Sequence, residues 1–130
     1  MKLSLDTSAY SHFKRGHAEV VEHLDRADWV GVTAVVLGEL RAGFGLGKRR
    51  AANERELGRF LANPVVHVLT VDDEAAQIYA DIVVALRAAG TPVPTNDIWI
   101  AAVSAREGAT VLTFDAHFAA IARVGHQLLT

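Results

Sequence analysis

Four carboxylates occupy positions from which they could act together in chemistry. Asp6 and Asp115 each directly follow a short, mainly apolar run that predicts a buried β-strand. In open α/β sheets ligands bind outside the carboxyl ends of the strands, so these two side chains are expected at one crevice. Asp97 lies in the first turn of a predicted helix. Glu39 flanks the apolar face of another, where an ionised carboxylate is costly unless it is paired or metal-bound.

The composition of this set favours a hard divalent cation. Clustered carboxylates repel one another, and no basic residue adjoins Asp6, Asp97 or Asp115 in the sequence. Oxygen ligands without cysteine suit Mg²⁺ or Mn²⁺, which proteins commonly hold beside a substrate phosphate. Such an ion generates hydroxide for attack and stabilises charge on phosphate oxygens. The polar neighbours of the acids are expected to orient ligands or waters: Thr7, Ser8, Asn96 and Thr113.

Each acid also has a simpler structural explanation. Asp6 and Asp115 would serve as helix N-caps, and Asp97 as a first-turn acid favoured by the helix dipole. Glu39 would pair with a nearby arginine. Asp72 is the plain capping case, since it precedes a strongly periodic helix. Each of these explanations accounts for a single residue. The four acids taken together favour a shared metal site.

A basic segment offers a partner for an anion. The chain has a net charge of −2, but residues 41–59 hold six basic residues against two acidic ones. The basic residues are Arg41, Lys48, Arg49, Arg50, Arg55 and Arg59. Such a segment is either a solvated helix face or a contact surface for a polyanion. In the second case its field offsets the repulsion between an empty carboxylate pocket and phosphate.

Several other chemistries lack support. The chain has no cysteine, which removes disulfides, cysteine zinc sites and thiol nucleophiles. Its six histidines show no metal-ligand spacing and are expected to be non-catalytic, with His12 and His117 the most open because they lie near Asp6 and Asp115. Ser8 lacks the sequence context of a nucleophile elbow. The glycines of residues 43–49 do not form a phosphate loop, because Arg49 replaces the required Ser or Thr.

Strands and helices that position these residues alternate along the chain. The predicted strands are Lys2–Leu5, Trp29–Val32, Val65–Thr70, Ala109–Phe114 and a small edge strand at Val124–Leu129. Asp6-Thr7-Ser8, polar residues suited to opening a helix, are predicted as a turn after the first strand. The first three predicted helices are His17–Ala27, a helix that Thr33 caps and that ends in Gly43, Gly45 and Gly47, and residues 48–62. The next runs from Asp72 to Gly90. The last two are a helix that Thr95 caps, with a buried stretch at Ile98–Val103, and a short helix from Asp115 through Ala122.

This pattern predicts one α/β domain over residues 1–130. Strands alternating with long helices imply a parallel central sheet in a three-layer α/β/α sandwich. The 130 residues are 51% apolar and 22% charged, which is ordinary for a globular domain. No uncharged stretch approaches the roughly 20 residues of a bilayer span, and no signal peptide is evident. We expect a cytoplasmic protein without a membrane partner.

Four short motifs resemble those of the PIN domain family, specifically the VapC-type toxins of prokaryotic toxin–antitoxin pairs. In chain order they are Asp6-Thr7-Ser8, Glu39-Leu40-Arg41-Ala42-Gly43, Asn96-Asp97-Ile98-Trp99-Ile100-Ala101-Ala102 and Thr113-Phe114-Asp115-Ala116-His117-Phe118. They occur in the family's order and span nearly the whole chain. The resemblance implies a PIN-like α/β/α fold, Mg²⁺- or Mn²⁺-dependent endoribonuclease activity on RNA, a homodimer and a cognate antitoxin.

The resemblance also implies roles for individual residues. Asp6 and Asp97 would bind metal, with Glu39 and Asp115 completing the acidic site. The basic residues Arg41, Lys48, Arg49 and Arg50 would hold RNA or receive acidic residues of the antitoxin. Some relatives carry a further acid shortly after the fourth motif acid, where this chain has His117, so a second metal is left open.

Two other function classes compete with a nuclease. A signalling receiver domain also has an acidic Mg²⁺ pocket, but it uses a lysine after a late strand, and this chain has no lysine beyond Lys48. A PIN-like module that holds RNA or a partner without cutting would have no need for four clustered acids. RNA cleavage that needs Mg²⁺ and all four acids distinguishes the nuclease from both.

Overall fold

Short apolar runs form a five-stranded parallel sheet in the computed structural model, which describes all residues 1–130. The strands are β1 (Lys2–Leu5), β2 (Trp29–Thr33), β3 (Val66–Leu69), β4 (Thr110–Thr113) and β5 (His126–Leu128). They lie in the order β3-β2-β1-β4-β5, and every neighbouring pair is parallel. The predicted α/β fold with a central parallel sheet is confirmed.

The strand order reverses direction between β1 and β4, which is where open α/β sheets have their binding crevice. From β1 the chain builds the sheet to one side through β2 and β3, and then crosses to the other side of β1 for β4. Ligands of open α/β sheets bind at such a reversal, outside the carboxyl ends of the strands. Leu5 pairs with Leu112, so Asp6 follows β1 beside the end of β4.

The helices follow the predicted pattern at most of their ends. They are α1 (Thr7–Lys14), α2 (Ala18–Arg26), α3 (Ala34–Leu46), α4 (Arg50–Leu61), α5 (Asp73–Ala89) and α6 (Thr95–Arg106). Thr33 caps α3 by accepting a hydrogen bond from Val36 N. Asp72 caps α5 in the same way through Ala75 N. Gly90 ends α5 with φ of +67°, a left-handed conformation that glycine adopts without strain.

Four local predictions are wrong in detail. Asp6-Thr7-Ser8 is not merely a turn but leads into α1, an eight-residue helix. Thr95 does not cap α6, because helix α6 begins at Thr95 and Pro94 is the capping residue, without a side-chain hydrogen bond. The α3 helix passes through Gly43 and Gly45 and ends only at Gly47. Residues Ala116–Ala120 form a 3₁₀ turn rather than an α-helix.

Helix α6 is anchored so that its first turn faces the crevice. Its middle is buried as predicted, from Ile98 through Val103, with Trp99 partly exposed. The Ser104 hydroxyl lies 2.8 Å from the hydroxyl of Ser4 on β1, and both side chains are fully buried. Arg106 donates to the carbonyl of Thr70 and ion-pairs with Asp72, which fixes the other end of the helix. None of the helices has the length and apolarity needed to cross a bilayer.

Candidate metal centre

Asp6 is the buried anchor of the site, with only 4% of its surface exposed. Its Oδ1 accepts hydrogen bonds from Ala9 N at 2.8 Å and from the Ser8 hydroxyl at 2.7 Å, and its Oδ2 accepts one from the Thr113 hydroxyl at 2.5 Å. Asp6 therefore caps α1 as well as facing the crevice. Burial raises the pKa of Asp6 above its usual range, although these hydrogen bonds oppose the shift.

Asp97, Asp115 and His117 converge beside Asp6. His117 Nδ1 lies 2.7 Å from Asp115 Oδ1 and 3.7 Å from Asp97 Oδ2. One ligand atom of each residue lies within 4.8 Å of the others. Asp115 also caps the 3₁₀ turn, since its Oδ1 accepts a hydrogen bond from the backbone N of His117 at 2.8 Å. These three residues form a cluster of candidate ligands, which we call the Asp97 cluster.

The electrostatics of the Asp97 cluster are unbalanced. Burial raises the pKa of Asp97 to about 6, and the charges of Asp115 and Asp6 act in the same direction. His117 opposes this shift but does not cancel it. No lysine or arginine lies within 4.0 Å of any of the four predicted acids, and the lysines and arginines that do form ion pairs contact other carboxylates. Carboxylates held together without a counter-charge favour a cation.

Glu39 lies outside the Asp97 cluster but is held by neighbours of its members. Thr7 donates its hydroxyl hydrogen to Glu39 Oε1 at 2.6 Å. Asn96 donates from Nδ2 to Glu39 Oε2 at 3.3 Å. Thr7 follows Asp6 and Asn96 precedes Asp97, so both contacts bring Glu39 to the same edge of the sheet. The alternative of an arginine pair for Glu39 is wrong.

The predicted polar neighbours all contact the acids or the loops that carry them. Besides binding Asp6, Ser8 accepts a hydrogen bond from Phe114 N at 3.0 Å. Thr113 accepts one from Asp115 N at 2.8 Å while donating to Asp6. The α1 N-terminus and the loop after β4 are thereby tied together. A role for these residues in orienting ligands or waters stays a prediction.

The donor set fits a divalent metal ion. Asp6, Asp97 and Asp115 supply carboxylate oxygens, and His117 supplies an imidazole nitrogen. Hard divalent cations bind such carboxylates, and imidazole is acceptable to first-row transition ions. A bound cation would also offset the charges of Asp115 and Asp6, which add to the rise that burial causes in the pKa of Asp97.

The family model of the PIN domain matches residues 3–124. The chain belongs to the PIN domain family. The predicted resemblance is thereby confirmed, and the receiver-domain alternative is wrong. PIN domains are metal-dependent nucleases, which agrees with a cluster of acids at the crevice.

This PIN domain is similar in sequence to known VapC ribonucleases. It is 35% identical to Ribonuclease VapC5 of Mycobacterium tuberculosis over 120 residues, which cover 90% of this chain and 85% of that protein. It is similar to the crystal structure of VapBC-5, a VapBC toxin–antitoxin system of the same organism, with 34% identity, a TM-score of 0.78 and 98% of each chain covered. VapBC2 from Rickettsia felis, bound to a promoter DNA fragment, has the same fold, with a TM-score of 0.87, 21% identity and 98% of each chain covered.

The basic residues of this PIN domain lie on and after the helix that carries Glu39. Arg41 is exposed on α3, and its Nε pairs with Glu54 Oε2 at 3.4 Å. Lys48, Arg49 and Arg50 are exposed where α3 connects to α4, and no carboxylate lies within 4.0 Å of their charged groups. These three basic side chains therefore form no ion pair, and we call them the α3–α4 cations. Their use by RNA or by an antitoxin stays a prediction.

Sequence reasoning left His117 out of the candidate ligands, yet the PIN-domain structure places it in the Asp97 cluster. The signal was present in the spacing, because His117 stands two residues after Asp115. Asp115 caps the 3₁₀ turn from an extended backbone, and its carboxylate contacts both the backbone N and the ring Nδ1 of His117, which brings the two side chains together.

Proposed function

We propose that this PIN domain is the toxin of a type II toxin–antitoxin pair and hydrolyses RNA phosphodiester bonds with the help of Mg²⁺ or Mn²⁺. The observation that carries the proposal is the Asp97 cluster, which joins two carboxylates and an imidazole beside buried Asp6 without a lysine or arginine to balance them. Similarity to Ribonuclease VapC5 supports RNA as the substrate.

Asp6 and Asp97 would hold the ion, and Glu39 and Asp115 would position the attacking water or a second ion. When bound, the cation would lower the pKa of a water molecule and stabilise charge on the scissile phosphate. Thr113 and Ser8 keep the Asp6 carboxylate oriented through their hydrogen bonds. Thr7 and Asn96 do the same for Glu39. Hydrolysis adds water across one P–O bond and leaves a 5′-phosphate and a 3′-hydroxyl.

The α3–α4 cations and Arg41 would bring an anionic partner to the carboxylates. Either the RNA backbone or acidic residues of a cognate antitoxin satisfies their charge. The VapBC-5 structure, a toxin–antitoxin system, supports an antitoxin as one partner. We place this activity in the bacterial cytoplasm, where such RNA is found, and we expect a homodimer.

The proposal is tested by incubating the purified full chain with labelled RNA in Mg²⁺ or Mn²⁺. We expect cleavage that stops in excess chelator and resumes when the metal is restored, with 5′-phosphate at the new ends. Equal cleavage in chelator would rule out the metal mechanism. RNA binding without any cleavage in either metal would instead favour the non-cutting PIN-like module.

A further inference from the structure

His117 puts a nitrogen donor among oxygen ligands. Its Nδ1 lies 2.7 Å from one oxygen of Asp115 and 3.7 Å from one oxygen of Asp97. The backbone N of His117 donates to that same Asp115 oxygen, which holds the imidazole on the cluster side of the 3₁₀ turn. The position of the ring therefore follows from the local backbone and not from a flexible side chain alone.

We propose that His117 is a direct metal ligand through Nδ1, and that it makes this centre prefer a first-row transition ion such as Mn²⁺ over Mg²⁺. The inference rests on the proposed function, because it concerns the ion that the nuclease uses. It goes further in naming a ligand outside the four acids and in choosing between the two cations.

The separations suit ligands that share one ion. An octahedral ion with bonds of about 2.1 Å holds neighbouring ligand atoms about 3.0 Å apart and opposite ones about 4.2 Å apart. The distances from His117 Nδ1 to Asp115 and Asp97 lie close to or between these values. All three ligand atoms lie within 4.8 Å of one another, close to the span of the ligands around one ion.

The imidazole can present a lone pair at Nδ1. Half of the His117 side chain is exposed, and its Nε2 makes no hydrogen bond to protein, so water can receive the Nε2 proton. The competing arrangement has the proton on Nδ1, donated to Asp115. His117 would then orient Asp115 without touching the ion, and no nitrogen would coordinate it.

The preference follows from ligand chemistry. Mg²⁺ demands oxygen ligands in near-ideal octahedral geometry and keeps several waters. Imidazole binds transition ions more readily, and Mn²⁺ accepts a mixture of carboxylate and imidazole. Replacement of a carboxylate by His117 should therefore weaken Mg²⁺ binding more than Mn²⁺ binding.

The decisive experiment is pulsed electron paramagnetic resonance of Mn²⁺ bound to the full chain, prepared with ring-¹⁵N histidine. We expect hyperfine coupling from one directly bonded ¹⁵N in the wild type, its loss in His117→Gln, and its retention in His126→Gln. His126 is an exposed histidine at the start of β5 and serves as the matched control. Mn²⁺ binding without ¹⁵N coupling, or coupling that persists in His117→Gln, would overturn the inference.

Metal titrations separate this inference from the proposed function. We expect His117→Gln to weaken Mn²⁺ binding about tenfold or more and His117→Asp to strengthen Mg²⁺ binding relative to Mn²⁺. If the wild type cleaves RNA with metal but these variants keep the wild-type ratio of Mn²⁺ to Mg²⁺ affinity, the inference fails and the nuclease stands. If the wild type binds neither ion and cuts no RNA, both fail.

Discussion

The hydroxyl of Thr113 donates a 2.5 Å hydrogen bond to Asp6 Oδ2, although 107 positions separate the two residues. The same hydroxyl oxygen accepts a hydrogen bond from Asp115 N. One buried side chain thus fixes the carboxylate at the end of β1 and the start of the loop that carries Asp115. The relation is possible because β1 and β4 are neighbours in the sheet.

Thr113→Val should therefore damage both the fold and the site. Valine keeps the shape of threonine but leaves an Asp6 oxygen and Asp115 N without their partner, and such losses cost about 1–3 kcal/mol. We expect urea denaturation to show that the free energy of unfolding falls by this amount. Thr110→Val, on the same strand but without a side-chain hydrogen bond, should change the free energy of unfolding little. Equal losses in both variants would contradict the assigned role.

Local signals predicted the strands and several helix ends correctly. Thr33, Asp72 and Gly90 act through hydrogen bonds or dihedral angles within a few residues, so their sequence context was sufficient. Helix α1 was missed because eight residues give little periodicity. The Tyr10 ring of α1 is buried and packs edge-on against Phe60 of α4, and the sequence does not reveal that distant contact.

The site was predictable only where a simple rule applied. Asp6 and Asp115 follow strands, and the rule for parallel sheets is enough to bring them to one edge. The contact of Thr7 with Glu39 spans 32 positions and depends on how α3 packs beside α1. The contact between His117 and Asp115 depends on how Asp115 caps the short turn that follows it, which the spacing of the two residues does not specify.

Asp97→Asn should stabilise the metal-free protein at neutral pH. Because the pKa of Asp97 is raised to about 6 in the folded state, the wild type loses stability as pH rises from about 4 through 6. Asparagine does not ionise and so does not lose this stability. We therefore expect the free energy of unfolding of the variant to exceed that of the wild type by about 1–2 kcal/mol at pH 7.5 in chelator. The gain should vanish near pH 4. A variant less stable than wild type at pH 7.5 would contradict the raised pKa.

Metal affinity should fall in acid for the same reason. A cation must displace the proton of Asp97 once the pH drops below its pKa of about 6. Calorimetric titration with Mn²⁺ should give nearly constant affinity above pH 7 and about a tenfold loss per pH unit below 6. An affinity that does not change between pH 5 and 7 would show that Asp97 is not a ligand.

The α3–α4 cations should set the salt dependence of RNA binding. We expect Lys48→Gln, Arg49→Gln and Arg50→Gln together, in a non-cleaving Asp97→Asn background, to lower the slope of log affinity against log salt by about 2. A control with Arg26, Arg87 and Arg123 changed to Gln alters the net charge equally. If both triple variants behave alike toward RNA, the α3–α4 cations serve the antitoxin instead.

We propose that the Asp97 carboxylate takes part in metal-dependent hydrolysis of RNA. The most direct test of this proposal compares initial cleavage rates of wild type, Asp97→Asn and Asp25→Asn with saturating Mn²⁺. Asp25 is an exposed acid on α2, so its substitution makes the same chemical change away from the site. We expect the cleavage rate to fall at least about 100-fold in Asp97→Asn and to stay unchanged in Asp25→Asn. Wild-type cleavage by folded Asp97→Asn would contradict the proposal.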